Sequence, residues 1–284
     1  MSPSPTRTAL LTCAALLGFA ANSLLCRMAL APRLIDASTF TAVRLLAGAA
    51  MLALLVRKGP AARQVRGAGS WASAAALVGY AILFSLAYGR IGAGIGALIL
   101  FGAVQLTMIA GGLLRQERPR AGEWLGLAVA LGGLVALTLP GQDVPDLLGA
   151  CLMAAAGVAW GIYSLRGKGG SAPLAATASN FARSVPFALV ALAVGAAVGH
   201  ASARGLAFAA ASGALASGVG YTLWYSALRG LTSTRAAIVQ LAVPVIAASA
   251  AVPLLGEPIT ARLLGAGAAV LAGIGGAIAS RARR

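Results

Sequence analysis

The chain alternates long apolar stretches with short segments that carry most of its charged residues. Each apolar stretch has about 20 residues, the length that an α-helix needs to cross roughly 30 Å of hydrocarbon. The pattern therefore predicts an all-α polytopic membrane protein with ten transmembrane helices near residues 8–29, 37–56, 70–89, 92–114, 121–139, 147–165, 172–198, 205–228, 233–255 and 261–280.

The first apolar stretch has two features of a cleaved signal peptide. Arg7 precedes it, and the run Ala29-Leu30-Ala31 is similar to a cleavage site. Its length, and its counterpart in the internal repeat described below, favour a retained first span instead.

The composition excludes a water-soluble protein. Hydrophobic residues make up 60% of the 284 residues, whereas charged residues make up 10%. A soluble domain carries about 25% charged residues, so this chain has too few to cover a water-exposed surface. Ten spans of about 20 residues leave room only for short loops and tails, so no extramembrane domain is expected.

The positive charge is distributed unevenly along the chain. There are 22 Lys and Arg residues against 6 Asp and Glu, a net charge of +16. With the N-terminus inside, fifteen basic residues fall in inner loops and tails, and four fall in outer loops, namely Arg33, Arg90, Arg204 and Arg262. The positive-inside rule then places both termini in the cytoplasm, in keeping with a bacterial cytoplasmic (inner) membrane. Small basic clusters between apolar stretches do not form a nucleic-acid surface, so no nucleic-acid partner is expected.

The chain contains an internal repeat at an offset of 139 to 141 residues. The repeated positions include charged and aromatic residues in matching order: Arg27 with Arg166, Arg44 with Arg183, Tyr80 with Tyr221, and Glu117 with Glu257. Each copy holds five spans, an odd number, so the second copy enters the membrane from the opposite side. The sequence thus predicts two inverted five-helix repeats, 1–140 with spans one to five and 141–284 with spans six to ten. In this architecture the substrate binds near the midplane between the copies, which indicates a transporter.

Several of these segments resemble the drug/metabolite transporter superfamily, and more narrowly its EamA branch of ten-span carriers. The segments are 18–22 (Gly-Phe-Ala-Ala-Asn), 40–45 with Arg44, and the turns at Glu117 and Glu257. The segment 101–105, which ends in Gln105, replaces a proline-bearing turn usual in the fourth span, and this pattern is similar to YddG-type exporters of aromatic and other amino acids. The resemblance implies export of amino acids and related small metabolites through a central cavity, without ATP hydrolysis.

Arg44 and Arg183 are cations inside apolar spans, and they occupy equivalent positions in spans two and seven. A charge in hydrocarbon is costly and is retained where it is paired, hydrated or functional. Each guanidinium can be structural, bonding to carbonyls or helix ends of the other repeat, or it can receive a substrate carboxylate. Because one substrate molecule has one carboxylate, the duplication favours the structural role.

Polar and aromatic residues at mid-span are the candidates for contact with a substrate. Amides donate and accept hydrogen bonds, which suits the ammonium and carboxylate of an amino acid, but hydrogen bonding between helices explains them equally well. Aromatic residues share one face of spans three, six and eight and are expected to line a cavity for apolar or aromatic side chains. The candidate substrate-binding residues are Asn22, Tyr80, Phe84, Gln105, Trp160, Tyr163, Tyr221 and Trp224, and Pro244 is a candidate hinge, with a static kink as the alternative.

A membrane-embedded enzyme, a channel and an exporter of drugs or other metabolites are the alternatives. Enzymes gather His, Asp, Glu or Cys near the interface, whereas here the one histidine, His200, lies in an outer loop and the six carboxylates lie in loops or at span ends. The three cysteines lack metal-binding spacing, so neither a metal nor another cofactor is expected. The absence of a mid-span carboxylate predicts gradient-driven export, with coupling through a site elsewhere in the chain as the alternative. The small-residue faces of spans five and ten fit either a monomer or a homodimer.

Overall fold

The computed structural model describes residues 4–57, 61–91, 93–138 and 146–280 and is almost entirely helical. In this part of the chain, ten helices are long and apolar enough to cross a membrane, which confirms the predicted fold class. Their bounds are α1 Pro5–Leu30, α2 Ala37–Arg57, α3 Trp71–Tyr88, α4 Ala93–Leu114, α5 Ala121–Thr138, α6 Leu147–Gly167, α7 Pro173–Val198, α8 Ala203–Leu228, α9 Ser233–Leu255 and α10 Ala261–Ala279. A short helix, Ala61–Gln64, lies between α2 and α3.

Most of these helices begin at a hydroxyl or carboxyl side chain that accepts a hydrogen bond from a backbone N–H of the first turn. Such a cap satisfies one of the N–H groups that have no partner at a helix start. The capping residues are Ser4 for α1, Asp36 for α2, Ser70 for α3, Asp146 for α6, Ser202 for α8, Thr232 for α9 and Thr260 for α10. The helix α9 ends at Gly256, whose left-handed backbone (φ 70°) would strain a residue with a side chain.

The eighth helix, α8, is not uniform along its length. Its middle, Ser212–Val219, is a π-helix of eight residues with α-helix on either side. Segments of π-helix are rare and are frequently found at functional sites. Ser212, Gly213 and Ser217 are buried, so this segment faces the interior of the bundle.

The ninth helix, α9, is interrupted at Leu241, between Ser233–Gln240 and Ala242–Leu255. Pro244 lies in the first turn after the interruption. Proline has no N–H to donate to the carbonyl four residues earlier, and its ring crowds that carbonyl. The break in α9 therefore follows from its sequence.

Equivalent helices of the two predicted repeats make equivalent packing contacts. Helix α1 packs against α8 and α9, and its equivalent α6 packs against α3 and α4. The equivalent helices α2 and α7 pack against each other, as do α5 and α10, where Gly126 lies against Gly273. This is the pattern expected of two inverted copies related by a two-fold axis in the membrane plane. The predicted boundary at residues 140 and 141 lies outside the described residues.

The loops gather at two ends of the molecule, alternating along the chain. At one end, Arg120 before α5 donates a hydrogen bond to the backbone carbonyl of Ser280 after α10. At the other end, Ile35 after α1 forms a β-bridge with Ala201 after α7. We call the first the basic end, since it carries the loops after α2, α4, α6 and α8, and the second the opposite end. Among the predicted inner cations, Lys58, Arg281, Arg283 and Arg284 lie outside the described residues.

Candidate functional site

A cavity of about 220 Å³ opens from the centre of the bundle toward the opposite end. Its wall is mainly apolar, and the charged residues Arg27, Glu257 and Arg262 lie at its mouth. A recess of about 30 Å³ deeper in the bundle shares Phe84 and Phe101 with this cavity and forms its inner end. A space of this kind suits a small molecule rather than a polymer.

Four aromatic rings close the recess, and we call them the aromatic floor: Phe19, Tyr80, Trp160 and Tyr221. The ring of Trp160 lies at their centre, with its centroid 4.7 Å from Tyr221, 5.0 Å from Tyr80 and 5.2 Å from Phe19. Tilted and edge-to-face contacts of this kind stabilise ring clusters beyond the burial of their surface. The indole Nε1 of Trp160 donates to the side-chain oxygen of Gln240 at 2.6 Å, which ties α6 to α9. The floor thus joins helices of both repeats.

Five of the predicted substrate-binding residues meet at this recess. They come from α1, α3, α6 and α8 and are Asn22, Tyr80, Phe84, Trp160 and Tyr221. Phe84 also lines the larger cavity, as does the predicted hinge residue Pro244. The wall therefore offers ring faces and amides, groups that bind an organic molecule through apolar contact and hydrogen bonds. In the described part of the chain, no group of three His, Cys, Asp or Glu side chains could hold a metal ion.

The other predicted residues, Gln105, Tyr163 and Trp224, are buried behind the recess rather than in its wall. Gln105 donates its Nε2 to the backbone carbonyl of Ala237 at 2.8 Å and so joins α4 to α9. The indole Nε1 of Trp224 donates to Ser164 at 3.0 Å and joins α8 to α6. Both side chains thus make contacts between helices, and their direct contact with a substrate stays a prediction.

A second cavity, of about 660 Å³, opens at the basic end, where Ser73 and Arg166 contribute polar groups to its wall. Tyr163 lies between this cavity and the aromatic floor. Its ring centroid is 5.7 Å from that of Trp160 and 4.9 Å from that of Tyr225. Trp160 belongs to the floor and Tyr225 lines the basic-end cavity, so these three rings separate the two spaces.

Arg44 lies behind the aromatic floor and is only 1% exposed. Its Nε donates to Ser217 at 3.0 Å and its Nη2 donates to the hydroxyl of Tyr221 at 2.5 Å, both in α8. Its guanidinium carbon is 5.3 Å from the ring centroid of Tyr80, within the range of a cation–π contact. Its Nη1 has no hydrogen-bond partner among the described residues. The cation is therefore held against the floor residues Tyr80 and Tyr221, and its Nη1 remains free to donate.

The π-helical segment of α8 creates this arrangement. Gly213 lies so close to the carbonyl of Arg44 that a side chain there would overlap with it. Because α8 approaches α2 and α1 so closely, two of its serines reach across to them. The hydroxyl of Ser212 donates to Asn22 at 2.6 Å, and that of Ser217 accepts from Arg44. One irregular segment thus positions a polar residue in each of two neighbouring helices.

Arg183, the equivalent of Arg44 in the second repeat, has different surroundings. It is half-buried, and its Nη1 donates to the hydroxyl of Ser179 and to the carbonyl of Ala68 at 3.4 Å. Its guanidinium carbon lies 5.8 Å from the ring of Trp71. These contacts tie α7 to the segment before α3 at the basic end. Only Arg44 of the two cations lies at the aromatic floor.

The sequence did not identify the whole wall. Phe19 lines the recess beside the predicted residues, as does Gln240, a mid-span amide that the sequence also offers, and Arg27 forms an ion pair with Glu257 at the mouth. Phe19 lies one helical turn before Asn22, so helical periodicity could have grouped the two. The pairing of Arg27 with Glu257 spans 230 residues and cannot be inferred from spacing.

Ion pairs join the two repeats at the basic end. Glu117, after α4, accepts from the ammonium of Lys168 and from the backbone N–H of Ser233 at 2.6 Å. Glu123, in the first turn of α5, accepts from Nε of Arg235 in α9 at 2.9 Å. Burial raises the pKa of Glu117, but hydrogen bonds from Lys168 and Ser233 outweigh this effect and hold the pKa below its usual value. Glu117 is therefore charged at neutral pH.

The chain matches a known family over nearly its whole length. The model of the EamA-like transporter family matches twice, at residues 6–139 and 147–279, and each match covers five spans. An uncharacterized protein of Pseudomonas aeruginosa is 52% identical over 280 residues, which cover 98% of this chain and 96% of that protein. A crystal structure of another protein, 18% identical, has the same fold with a TM-score of 0.80, over 99% of this chain and 100% of that one. The chain is therefore a multi-pass membrane protein that belongs to the EamA-like transporter family, within the drug/metabolite transporter superfamily.

Proposed function

We propose that this chain is a secondary transporter that exports neutral and aromatic amino acids and related small metabolites by alternating access through the central cavity. Its family supports transport, and the cavity supports the class of substrate. Its placement among YddG-type amino-acid exporters is part of the proposal. The observation that carries the proposal is the buried guanidinium of Arg44 behind an aromatic floor.

Arg44 gives the floor a positive potential. The ion pairs among the described residues involve other cations, so no carboxylate balances its charge there. In a low-dielectric interior, an unbalanced charge acts over several ångströms. The hydroxyl of Tyr221 accepts from Arg44, which leaves its own O–H to donate elsewhere, and Tyr221 lines the recess. A substrate carboxylate at the floor is attracted by both groups.

The rest of the recess suits an apolar or aromatic side chain. Phe84, Leu100, Phe101 and Val243 lie around it. Ring faces and aliphatic side chains bind apolar groups by burial of surface and by ring contacts. A molecule with a carboxylate at one end and an apolar group at the other, such as a neutral or aromatic amino acid, matches both parts of the site.

An exporter of cationic drugs fits the charges of the site less well. Among the described lining residues, the acidic group is Glu257, which is paired with Arg27 and lies near Arg262 at the mouth. A cation that entered the recess would meet the positive potential of Arg44 instead. The charges therefore favour a zwitterion or an anion over a cation.

A channel is disfavoured by the closed floor. The rings of Trp160, Tyr163 and Tyr225 stand between the two cavities, so the cavities at the two ends do not join into a continuous pore. A barrier between the two ends is expected of an alternating-access carrier. The family match likewise favours a transporter over a membrane-embedded enzyme.

The proposal places the basic end in the cytoplasm of a bacterial cell, with both termini there, and the open cavity toward the outside of the inner membrane. The distribution of Lys and Arg supports this orientation. The proposal also includes export driven by the substrate gradient, since the acidic group that lines the cavity is engaged in an ion pair.

Transport into proteoliposomes tests the proposal. Uptake of a panel of radiolabelled amino acids is compared with uptake into protein-free liposomes and with a Leu106→Ala protein, whose altered side chain is 76% exposed on the outer surface of α4. We expect saturable uptake of at least one neutral or aromatic amino acid, equal in the Leu106→Ala control and inhibited by other neutral amino acids. Uptake of lipophilic cations without uptake of any amino acid would contradict the proposal.

A further inference from the structure

Two ion pairs, one at each end of the molecule, join equivalent helices of the two repeats. Arg27, near the end of α1, pairs with Glu257, which follows α9. Lys168, just after α6, pairs with Glu117, which follows α4. Helices α1 and α6 are equivalent, as are α4 and α9, and the two glutamates lie 140 residues apart. A similar contact is therefore made once at each end, although the cation at the basic end, Lys168, lies two residues beyond Arg166, the equivalent of Arg27.

The two pairs differ in how closely the glutamate is held. Glu117 also accepts from the N–H of Ser233 at 2.6 Å and from its hydroxyl at 3.2 Å, and Lys168 donates to that hydroxyl at 3.0 Å. The side chains of Lys168 and Glu117 are 18% and 23% exposed, against 40% and 35% for Arg27 and Glu257. Arg27 and Glu257 instead border the open cavity. Both ion pairs are formed, but the pair at the basic end is enclosed by neighbouring residues, whereas the pair at the opposite end borders the open cavity.

Helices α4 and α9 explain this difference, because they meet at the basic end and diverge toward the opposite end. Nearer the basic end, Gln105 of α4 donates to the carbonyl of Ala237, in the first half of α9, and these parts of the two helices pack together. Toward the opposite end, Gly94 of α4 and Ala248 of α9 both line the cavity, which lies between them. The two helices thus form a V whose open side is the cavity.

The basic end shows what closure of the opposite end requires. There, Ser233 at the start of α9 donates to Glu117. The equivalent arrangement would bring the start of α4, near Gly94, to Glu257. A helix start offers free N–H groups and a positive dipole end, both of which favour a carboxylate. The break before Pro244 is a point about which the outer half of α9 can swing toward α4.

We propose that the two glutamates are the gates of the transport cycle, Glu117 at the basic end and Glu257 at the opposite end, and that they close in turn. This inference rests on the proposed function and adds the residues that control which end of the transporter is open. In the present state Lys168 and Ser233 hold the Glu117 gate closed, whereas Glu257 is paired with Arg27 and makes no hydrogen bond to the start of α4 among the described residues, so its gate is open. Entry of substrate from the basic end requires the contacts of Glu117 to break, and closure of the cavity requires Glu257 to reach the start of α4.

Each gate stabilises the state in which its own end is closed. Removing the charge of one gate therefore shifts the population toward opening at that end. Glu117→Gln and Lys168→Met each weaken the gate at the basic end, and Glu257→Gln weakens the gate at the opposite end. Loss of a charge-assisted hydrogen bond shifts such an equilibrium by about tenfold.

Cysteine accessibility measures these populations without any substrate. The three native cysteines, Cys13, Cys26 and Cys151, are replaced by alanine. One reporter cysteine is then introduced at Ala237, which is fully buried, or at Ala247, in the cavity wall. The rate of labelling by a membrane-impermeant maleimide is measured from each side of the reconstituted membrane.

We expect Glu117→Gln and Lys168→Met each to raise labelling at position 237 from the basic end by about tenfold and to lower labelling at position 247. Adding Glu257→Gln to Glu117→Gln should restore labelling at position 247. The state in which the opposite end is closed then loses the contact of Glu257 that stabilises it. Asp146→Asn, in the exposed pair of Arg90 with Asp146 at the opposite end, is the matched control and should change neither rate.

Unchanged labelling at both positions in folded Glu117→Gln and Lys168→Met proteins would overturn the proposal, and so would an equal change in Asp146→Asn. A failure of the proposed function has a different signature. In that case labelling responds to the gate substitutions although no amino acid crosses the membrane. If amino acids cross while labelling ignores the gates, the gates alone are wrong.

Discussion

Arg44 is the residue whose surroundings set this site apart from ordinary packing between membrane helices. Ser217 and Tyr221 satisfy two of its nitrogens, whereas its Nη1 has no partner in the described part of the protein. A buried charge is costly unless its donors are satisfied. Its position is compatible with both roles that the sequence left open, because it joins α2 to α8 and also brings charge to the aromatic floor. Substitution separates the two roles.

Replacement of Arg44 by lysine keeps the charge but loses the forked contacts to Ser217 and Tyr221. We expect the apparent KM for a neutral amino acid to rise at least tenfold, in line with a loss of about 1.5–3 kcal/mol for hydrogen bonds to a charged group. Saturation of uptake in proteoliposomes gives the KM. Arg183→Lys is the matched control and should lower the melting temperature while leaving the KM within about twofold. Equal effects of both substitutions on KM would show that the role of Arg44 is structural.

The hydroxyl of Tyr221 is expected to connect Arg44 with the substrate. Tyr221→Phe removes an acceptor from a buried cation, so the free energy of unfolding should fall by about 1–3 kcal/mol and the affinity for amino acids should also fall. Thermal unfolding in detergent and competition of uptake measure the two effects. Tyr225→Phe removes a hydroxyl that donates to the carbonyl of Tyr163 away from the recess. It should therefore lower the free energy of unfolding and leave the affinity for amino acids unchanged. Unaltered affinity in Tyr221→Phe would remove Tyr221 from the binding site.

Residue periodicity indicated which side chains share a helix face. It did not indicate which of them line the cavity and which pack against another helix. Tyr80 and Trp160 reach the recess, whereas Gln105 and Tyr163, equally plausible from the sequence, contact other helices. Phe19 was missed because its role depends on three rings from two other helices. A pattern within one helix contains no information about these neighbours.

Among the helices, α8 and α9 show why one irregularity could be predicted and the other could not. The break in α9 follows from Pro244, because the effect of proline on a helix is local. The π-helix in α8 is accompanied by contacts of Ser212 with Asn22 and of Ser217 with Arg44, which lie 190 and 173 residues away in the chain. Such a segment depends on the assembled bundle.

Pro244→Ala tests whether the break in α9 is a hinge. Alanine restores an N–H that can donate to the carbonyl of Gln240, so the two halves of α9 should become one continuous helix. If the halves move relative to each other during transport, the maximal rate of uptake should fall several-fold while the protein remains folded. Pro253→Ala, near the end of the same helix, should have a smaller effect. An unchanged rate in Pro244→Ala would identify a static kink.

For the molecule as a whole, the sequence predicted the two-fold organisation well. Arg, Tyr and Glu residues recur at a nearly constant offset, and the equivalent helices α2 and α7, and α5 and α10, pack together. The end toward which the central cavity opens could not be predicted. Glu117 and Glu257 occupy equivalent positions, and the choice between the two states depends on small differences in free energy between long-range contacts.

The closed basic end should be insensitive to pH near neutrality. Burial would raise the pKa of Glu117, but hydrogen bonds from Lys168 and Ser233 hold it below its usual value of 4.5. A carboxyl group with a lowered pKa stabilises the structure above its ordinary pKa and loses this contribution as the pH falls through the folded-state pKa. The labelling rate of a cysteine at position 237, divided by the rate for a free thiol at the same pH to remove the pH dependence of the thiolate, should therefore stay constant from about pH 6 to about pH 8. A steep increase on acidification within this range would contradict the assignment.

Counterflow tests the central claim, that the chain is a carrier of amino acids, most directly. Proteoliposomes are loaded with an unlabelled aromatic amino acid and diluted into buffer that contains a trace of the same compound in radiolabelled form. A carrier with alternating access predicts that the label accumulates transiently above its equilibrium level, and that Arg44→Lys reduces this overshoot. Equilibration without an overshoot would indicate a channel, and no protein-dependent entry of any amino acid would contradict the account.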